Sequence, residues 1–148
     1  MKVSDILKKK GHQVFTIAPE RSLLEAATLL AEHGVGAVVV VEADGSMLGI
    51  FTERDLVREC AGKRVNLERI PVGEAMTRDV VTCHPDDDLR IIEAQMRERG
   101  FRHLPVLEDG KSLVGIVSIR DVLAGLYESA KEDANDLRDH LAGHYVVC

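Results

Sequence analysis

The sequence predicts an α+β fold built from two β-α-β-β-α repeats, and two observations carry that prediction. The first is internal similarity: Gly49-Ile50-Phe51-Thr52-Glu53-Arg54-Asp55-Leu56 matches Gly115-Ile116-Val117-Ser118-Ile119-Arg120-Asp121-Val122. The same offset pairs Thr16 with Thr82, Pro19 with Pro85 and Gly34 with Gly100, and a shared register across independent signals marks a repeat architecture. The second is that apolar runs of strand type and apolar stripes of helical spacing follow one another in the same order in both copies.

Each element has a local cause. Val3-Ser4-Asp5-Ile6-Leu7 resembles Val72-Gly73-Glu74-Ala75-Met76 in a shifted register, so the extra residues of the first copy fall in a Lys8-Lys9-Lys10-Gly11 loop, whose basic run reads as solvated charge at a helix end. Val14 to Ile17 and Val80 to Cys83 are β-rich runs, each followed by a proline that turns the chain. Ser22-Leu23-Leu24-Glu25 predicts a reciprocal capping box. Leu23, Ala26, Ala27 and Leu30 then recur at helical spacing until Gly34 stops the helix. In the second copy Asp86-Asp87-Asp88 places acid at the positive end of a helix whose buried stripe is Leu89, Ile92 and Met96, and Gly100 ends it. Gly36 to Val41 is an apolar run expected to be covered on both faces, turning at Asp44-Gly45 into Met47 to Phe51; Leu104 to Leu107, Asp109-Gly110 and Leu113 to Val117 repeat the hairpin. Thr52 and Ser118 are expected to cap helices starting near Glu53 and Ile119. The chain divides into repeat 1 (1–60), a linker (61–71), repeat 2 (72–127) and a helical tail (128–148). Neither repeat covers a sheet this small alone, so the two are expected to pack face to face.

Composition narrows the function. The chain has 148 residues, 45% of them hydrophobic and 30% charged, with a net charge of -6. An acidic chain with 3% aromatic residues and no tryptophan lacks the basic footprint and stacking rings of a nucleic-acid binder. No apolar stretch approaches the length of a membrane span or a signal peptide, so a cytoplasmic protein without a membrane partner is expected. Cys60, Cys83 and Cys148 are far apart and in no metal-ligand spacing, which implies reduced thiols. No nucleophile-base pair, P-loop or metal set is present, so no catalytic residue is assigned and the chain is not read as an enzyme. The acids at 86–88 are explained by a helix terminus. His140 and His144 are spaced for one helical face but lack a third ligand, and read as a frayed surface helix. No metal is assigned.

The motif G-h-h-[ST]-x-R-D-h occurs twice, each time after a hairpin and opening a helix. In this the chain resembles a CBS (cystathionine-β-synthase-type) domain pair, from Val3 to about Tyr127. The resemblance implies two repeats related by pseudo-two-fold symmetry, with two clefts between them that hold AMP, ADP, ATP or another adenosine compound such as NAD(H) or S-adenosylmethionine, and no required cofactor. By resemblance Asp55 and Asp121 hold ribose, Thr52 and Ser118 lie near the phosphates, and Arg54 and Arg120 are phosphate partners. Asp55 would face Arg78 to Val80 and Arg102-His103-Leu104, and Asp121 would face Val14 and Gly36-Ala37-Val38. The chemistry is sound, because a carboxylate in the first helical turn accepts from sugar hydroxyls and the free N–H groups beside it attract phosphate.

Arg102 and His103 stand where the first copy has Gly36 and Ala37, so the phosphate-bearing ligand is expected in the Asp55 cleft, with the Asp121 cleft lined by small and aliphatic residues. The implied function is a non-catalytic small-molecule sensor that signals through an unidentified regulated protein or a homodimer. The alternative is a structural dimerisation module with degenerate clefts. With little beyond the pair, the output is expected to pass through another chain. The tail residues Leu126, Ala130, Ala134, Leu137 and Leu141 lie at near-helical spacing, either extending the last helix or folding back on the domain.

Overall fold

The structure, a computed structural model, describes residues 1–62 and 66–147, with side chains described as far as Leu141. The first copy contains α1 (Val3–Lys10), β1 (Thr16–Ile17), α2 (Leu23–His33), β2 (Ala37–Val41), β3 (Met47–Thr52) and α3 (Glu53–Ala61). The second contains α4 (Val72–Ala75), α5 (Leu89–Arg99), β4 (His103–Glu108), β5 (Ser112–Ser118) and α6 (Ile119–Val147). In the first sheet β1 runs parallel to β2, and β2 is antiparallel to β3. The second sheet is the antiparallel pair β4-β5. Both hairpins shift register at the same point of the repeat, between Val40 and Val41 and between Val106 and Leu107.

The second copy does not form the strand expected over Val80 to Cys83. What remains is a parallel bridge, with the Cys83 N–H donating to Pro105 O at 3.0 Å and the Leu107 N–H donating to Cys83 O at 2.9 Å. Proline is the reason. In the first copy the Val39 N–H donates to Phe15 O at 3.0 Å. Pro105 occupies the position of Val39 in the repeat and has no N–H to give, so the ladder cannot extend past Cys83. From α5 onward the second copy is therefore α-β-β-α in its regular elements.

Two further local expectations are corrected. Lys8, Lys9 and Lys10 form the last turn of α1, which closes on Gly11 at φ 97°. At α2 only half of the capping box exists: Ser22 Oγ accepts from the Glu25 N–H at 3.1 Å, while the Glu25 carboxylate turns to Arg21 at 3.6 Å. The stops behave as expected, with Gly34 and Gly100 in the left-handed conformation at the ends of α2 and α5.

The hydrophobic interior is two cores, and each contains a short helix from the opposite half of the chain. Val3, Ile6 and Leu7 of α1 are buried with Leu89, Ile92, Met96, Val106 and Val122. Val72 and Ala75 of α4 and Met76 just after it are buried with Leu23, Leu30, Val38 and Phe51, and Leu67 and Ile70 of the expected linker pack there too. Backbone bonds fix the exchange. The Val3 and Ser4 N–H groups donate to Asp87 O and Pro85 O at 3.0 and 2.8 Å, and the Val72 and Gly73 N–H groups donate to Arg21 O and Pro19 O at 2.7 and 3.0 Å.

The first glycine of each motif makes the exchange sterically possible. A Cβ on Gly49 would stand 2.5 Å from Thr77 O and 2.9 Å from Met76 Sδ, and a Cβ on Gly115 would stand 2.7 Å from a Leu7 methyl. Leu7 and Met76 are thus equivalent knobs seated on equivalent glycines. The tail continues α6 without a break: Val122 and Leu126 pack on the core, whereas Tyr127, Leu137 and Leu141 are exposed.

Because Leu7 fills the core of the other half, Leu7→Ala is expected to lower stability by about 2–5 kcal/mol. Urea unfolding followed by circular dichroism measures this, and the exposed Lys8→Ala serves as the unperturbed control.

Candidate functional site: two clefts between the repeats

The two motif carboxylates sit at equivalent places, in the first turns of α3 and α6, but in different environments. Asp55 is 2% exposed. Its Oδ2 accepts from the Thr52 N–H at 3.0 Å and the Thr52 hydroxyl at 3.3 Å. Its Oδ1 accepts from the Thr77 hydroxyl at 3.1 Å and Arg58 Nη1 at 3.0 Å. Four donors saturate the carboxylate, which is how so buried a charge is tolerated. The Asp121 side chain is 23% exposed. Its Oδ2 accepts from the Ser118 N–H at 2.9 Å and Lys10 Nζ at 2.8 Å, and among the described residues nothing donates to Oδ1. Burial works to raise the Asp121 pKa, but the hydrogen bonds from Lys10 and Ser118 outweigh it and hold the carboxyl below its ordinary value.

Lys10 was expected in solvent. Instead its ammonium bridges Asp121 and Ile116 O, the latter at 2.8 Å, and lines the cleft. The counterpart of this contact in the other half is Thr77, just past α4, whose hydroxyl holds Asp55. The exchange of α1 and α4 therefore delivers an ammonium to one carboxylate and a hydroxyl to the other.

The Asp121 cleft has a volume of about 650 Å³ and the Asp55 cleft about 290 Å³. Arg102 and His103 were expected to distinguish the Asp55 cleft, but both line the two clefts together with Gly36 and Glu53. The Asp121 cleft is not the aliphatic one: Lys10, Arg102, His103 and Arg120 line it beside Phe15 and Val35. The His103 ring lies 2.9 Å from where a Cβ on Gly36 would stand, so glycine at 36 is what lets the ring occupy the shared wall. Burial pushes the His103 pKa down, more strongly than the nearby Glu53 and Asp121 raise it.

Other expected residues fall into three groups. Gly36, Ala37, Ser118 and Arg120 line the Asp121 cleft, and Thr52, Arg54 and Asp55 line the other. Val38 and Leu104 are buried, turned into the two cores by strand alternation. Val14, Arg78 and Val80 line neither cleft; Gln13 and Phe15 flank the Asp121 cleft in place of Val14, and Arg78 reaches back to Gly73 O at 3.3 Å. Arg54, expected on a phosphate, donates from Nη1 to Gly100 O at 2.7 Å and ties α3 to the C-terminus of α5. Arg120 makes no hydrogen bond or ion pair among the described residues. Phe15, stacked on His33 at 4.0 Å between ring centroids, gives the Asp121 cleft an aromatic wall.

Outside the clefts, Asp88 caps α5 by accepting from the Arg90 N–H at 2.8 Å. No cluster of three metal-ligating side chains occurs among the described residues, and none of their helices is long and apolar enough to cross a membrane. His140 is exposed, whereas His144 and Cys148 lie outside the residues whose side chains are described. The buried Cys83 thiol is pushed up to about 12 by desolvation, and Cys60 is exposed.

The repeat, the exchanged helices and the paired clefts correspond to one family model, the CBS domain, which matches residues 3–62 and again 72–128. The chain belongs to the CBS-domain family. Its fold is the CBS-domain pair: the CBS-domain containing protein ATU1752 from Agrobacterium tumefaciens superimposes with a TM-score of 0.81 at 45% identity, covering 84% of this chain and 98% of that one. The CBS domain pair of protein MJ0100, in complex with 5'-methylthioadenosine and S-adenosyl-L-methionine, superimposes with a TM-score of 0.76 at 28% identity, over 88% of this chain and 98% of that one. The CBS domain protein PAE2072 from Pyrobaculum aerophilum, complexed with AMP, gives a TM-score of 0.74 at 26% identity, over 86% and 99%.

The half-buried His103 of this CBS pair carries a pH prediction. With its folded pKa depressed, the unfolded chain binds a proton that the folded chain refuses, so stability is complete above the ordinary histidine value of about 6.5 and falls as the pH drops through it. Urea midpoints between pH 8 and pH 5 should fall in the native chain. The fall should be shallower in His103→Gln.

Proposed function

We propose that this CBS pair is a non-catalytic sensor of adenosine-containing ligands and that its phosphate-bearing ligand, AMP, ADP or ATP, occupies the Asp121 cleft. The observation that carries the reading is Asp121: its Oδ1 has no donor among the described residues, and the residue lines a cleft of about 650 Å³. A ribose hydroxyl satisfies that oxygen with a charge-assisted hydrogen bond. Lys10 and Arg120, which line the same cleft, offer a cationic cradle for phosphate. Phe15 offers a face for the adenine ring. Structurally similar CBS pairs in complex with AMP, 5'-methylthioadenosine and S-adenosyl-L-methionine support the ligand class. We read the output as regulatory: binding that differs between two arrangements of the repeats is read by a second protein chain.

The Asp55 cleft supports a different role. Its carboxylate already serves four donors, so a sugar hydroxyl there has to displace Thr77 or Arg58. We read this cleft as an inter-repeat tie, so the degenerate alternative applies to it and not to the pair as a whole.

Thermal-shift measurements against AMP, ADP, ATP, NAD(H), S-adenosylmethionine and adenosine test the reading. A ligand at 100 times its dissociation constant stabilises by about 2.7 kcal/mol, a rise of several degrees for a chain of this size. Asp121→Ala should abolish the rise, while Asp55→Asn lowers the starting melting temperature and leaves the AMP shift in place. Lys10→Ala should weaken AMP about tenfold and adenosine little, since only the former presents a phosphate. A panel that leaves the melting temperature unchanged overturns the sensor reading.

A further inference from the structure

The last helix carries a surface that neither the cores nor the clefts use. Leu123, Tyr127, Ala130, Ala134, Leu137 and Leu141 succeed one another in alternating steps of four and three residues, the spacing of a and d positions in a two-stranded coiled coil. All six are exposed, Tyr127 at 70% and Leu137 at 61%. Leu126, which shares the helix, turns away from this stripe to pack on the core. Between Glu128 and Leu141 every apolar side chain lies on the stripe and every charged one lies off it. A solvated helix needs no such segregation. A helix that buries one seam does.

We propose that this seam pairs with the same seam of a second copy of the chain, in parallel. The flanking charges select the partner and its direction. With Tyr127, Ala134 and Leu141 at a and Leu123, Ala130 and Leu137 at d, the e positions hold Lys131 and Arg138, and Asp133 and His140 stand at g. In a parallel pair Asp133 of one copy faces Arg138 of the other, and two-fold symmetry repeats the opposite-charge contact on the second side. An antiparallel pair sets e against e and g against g, so the basic side chains oppose each other and Asp133 meets its own copy. Ala130 and Ala134 at the middle of the seam let the two backbones approach closely. The proposal is independent of the ligand reading.

The test uses the full chain with Cys60→Ser and Cys148→Ser. Under mild oxidation, Ala134→Cys at an a position should form a disulfide-linked dimer, because parallel pairing brings the two thiols to one level; Glu132→Cys, on the outer face, should link far more slowly. Sedimentation equilibrium should show a dimer that Leu137→Asp dissociates with the helix content of the chain retained. Asp133→Arg should weaken the dimer about tenfold, and Asp133→Arg with Arg138→Asp should restore it. A monomer throughout, cross-linking at Glu132→Cys as fast as at Ala134→Cys, or a dimer indifferent to Leu137→Asp each overturns the proposal.

Discussion

The exchange of two short helices is the constraint on which the rest of this structure depends. Each half of the chain has a sheet of two or three short strands and too few residues to cover it, and each completes its core with a helix belonging to the other half. The bonds that hold α1 and α4 in place are backbone bonds to the turns around Pro85 and Pro19, so they tolerate changes of side chain. Specific side-chain chemistry is needed at the glycines, where Gly49 and Gly115 leave room for Met76 and Leu7. With the helices exchanged, neither core is complete within one half, and the two repeats become a single folding problem.

The same exchange makes the clefts chemically unequal. The helix α1 is longer than its counterpart α4, and its last turn carries Lys10 onto Asp121, while the chain leaving α4 brings the Thr77 hydroxyl to Asp55. One carboxylate is then charge-paired at one oxygen, with no donor to the other among the described residues. Its counterpart is enclosed and saturated. Arg102 and His103, lying on the wall between the clefts, add basic and polar groups to both and so distinguish neither.

Much of this architecture was legible in the sequence because repeated local chemistry repeats local structure. The caps at Thr52 and Ser118, the left-handed glycines at 34 and 100 and both hairpins fall where their residue types require. The failures have specific physical causes. Val80 to Cys83 has strand composition, but pairing depends on the partner strand, and Pro105 withholds the N–H that the ladder needs. The capping box at Ser22 reads as reciprocal, yet Glu25 is drawn to the guanidinium of Arg21. Lys10 was assigned to solvent because a lysine run at a helix end is usually solvated, and only the long-range exchange of α1 reveals its partner. Motif position puts Arg54 at a phosphate and the family resemblance puts Arg78 opposite Asp55, whereas the carbonyls that capture them, Gly100 and Gly73, are set by packing. Phe15, a wall of the larger cleft, carried no local signal.

The most direct test of the account is a crystal structure of the chain grown with AMP. The account predicts ribose density at Asp121 Oδ1, with the phosphate within hydrogen-bonding distance of Lys10 or Arg120 and the Thr77 to Asp55 bond intact. AMP seated instead on Asp55, with Thr77 displaced and the Asp121 cleft empty, would contradict it.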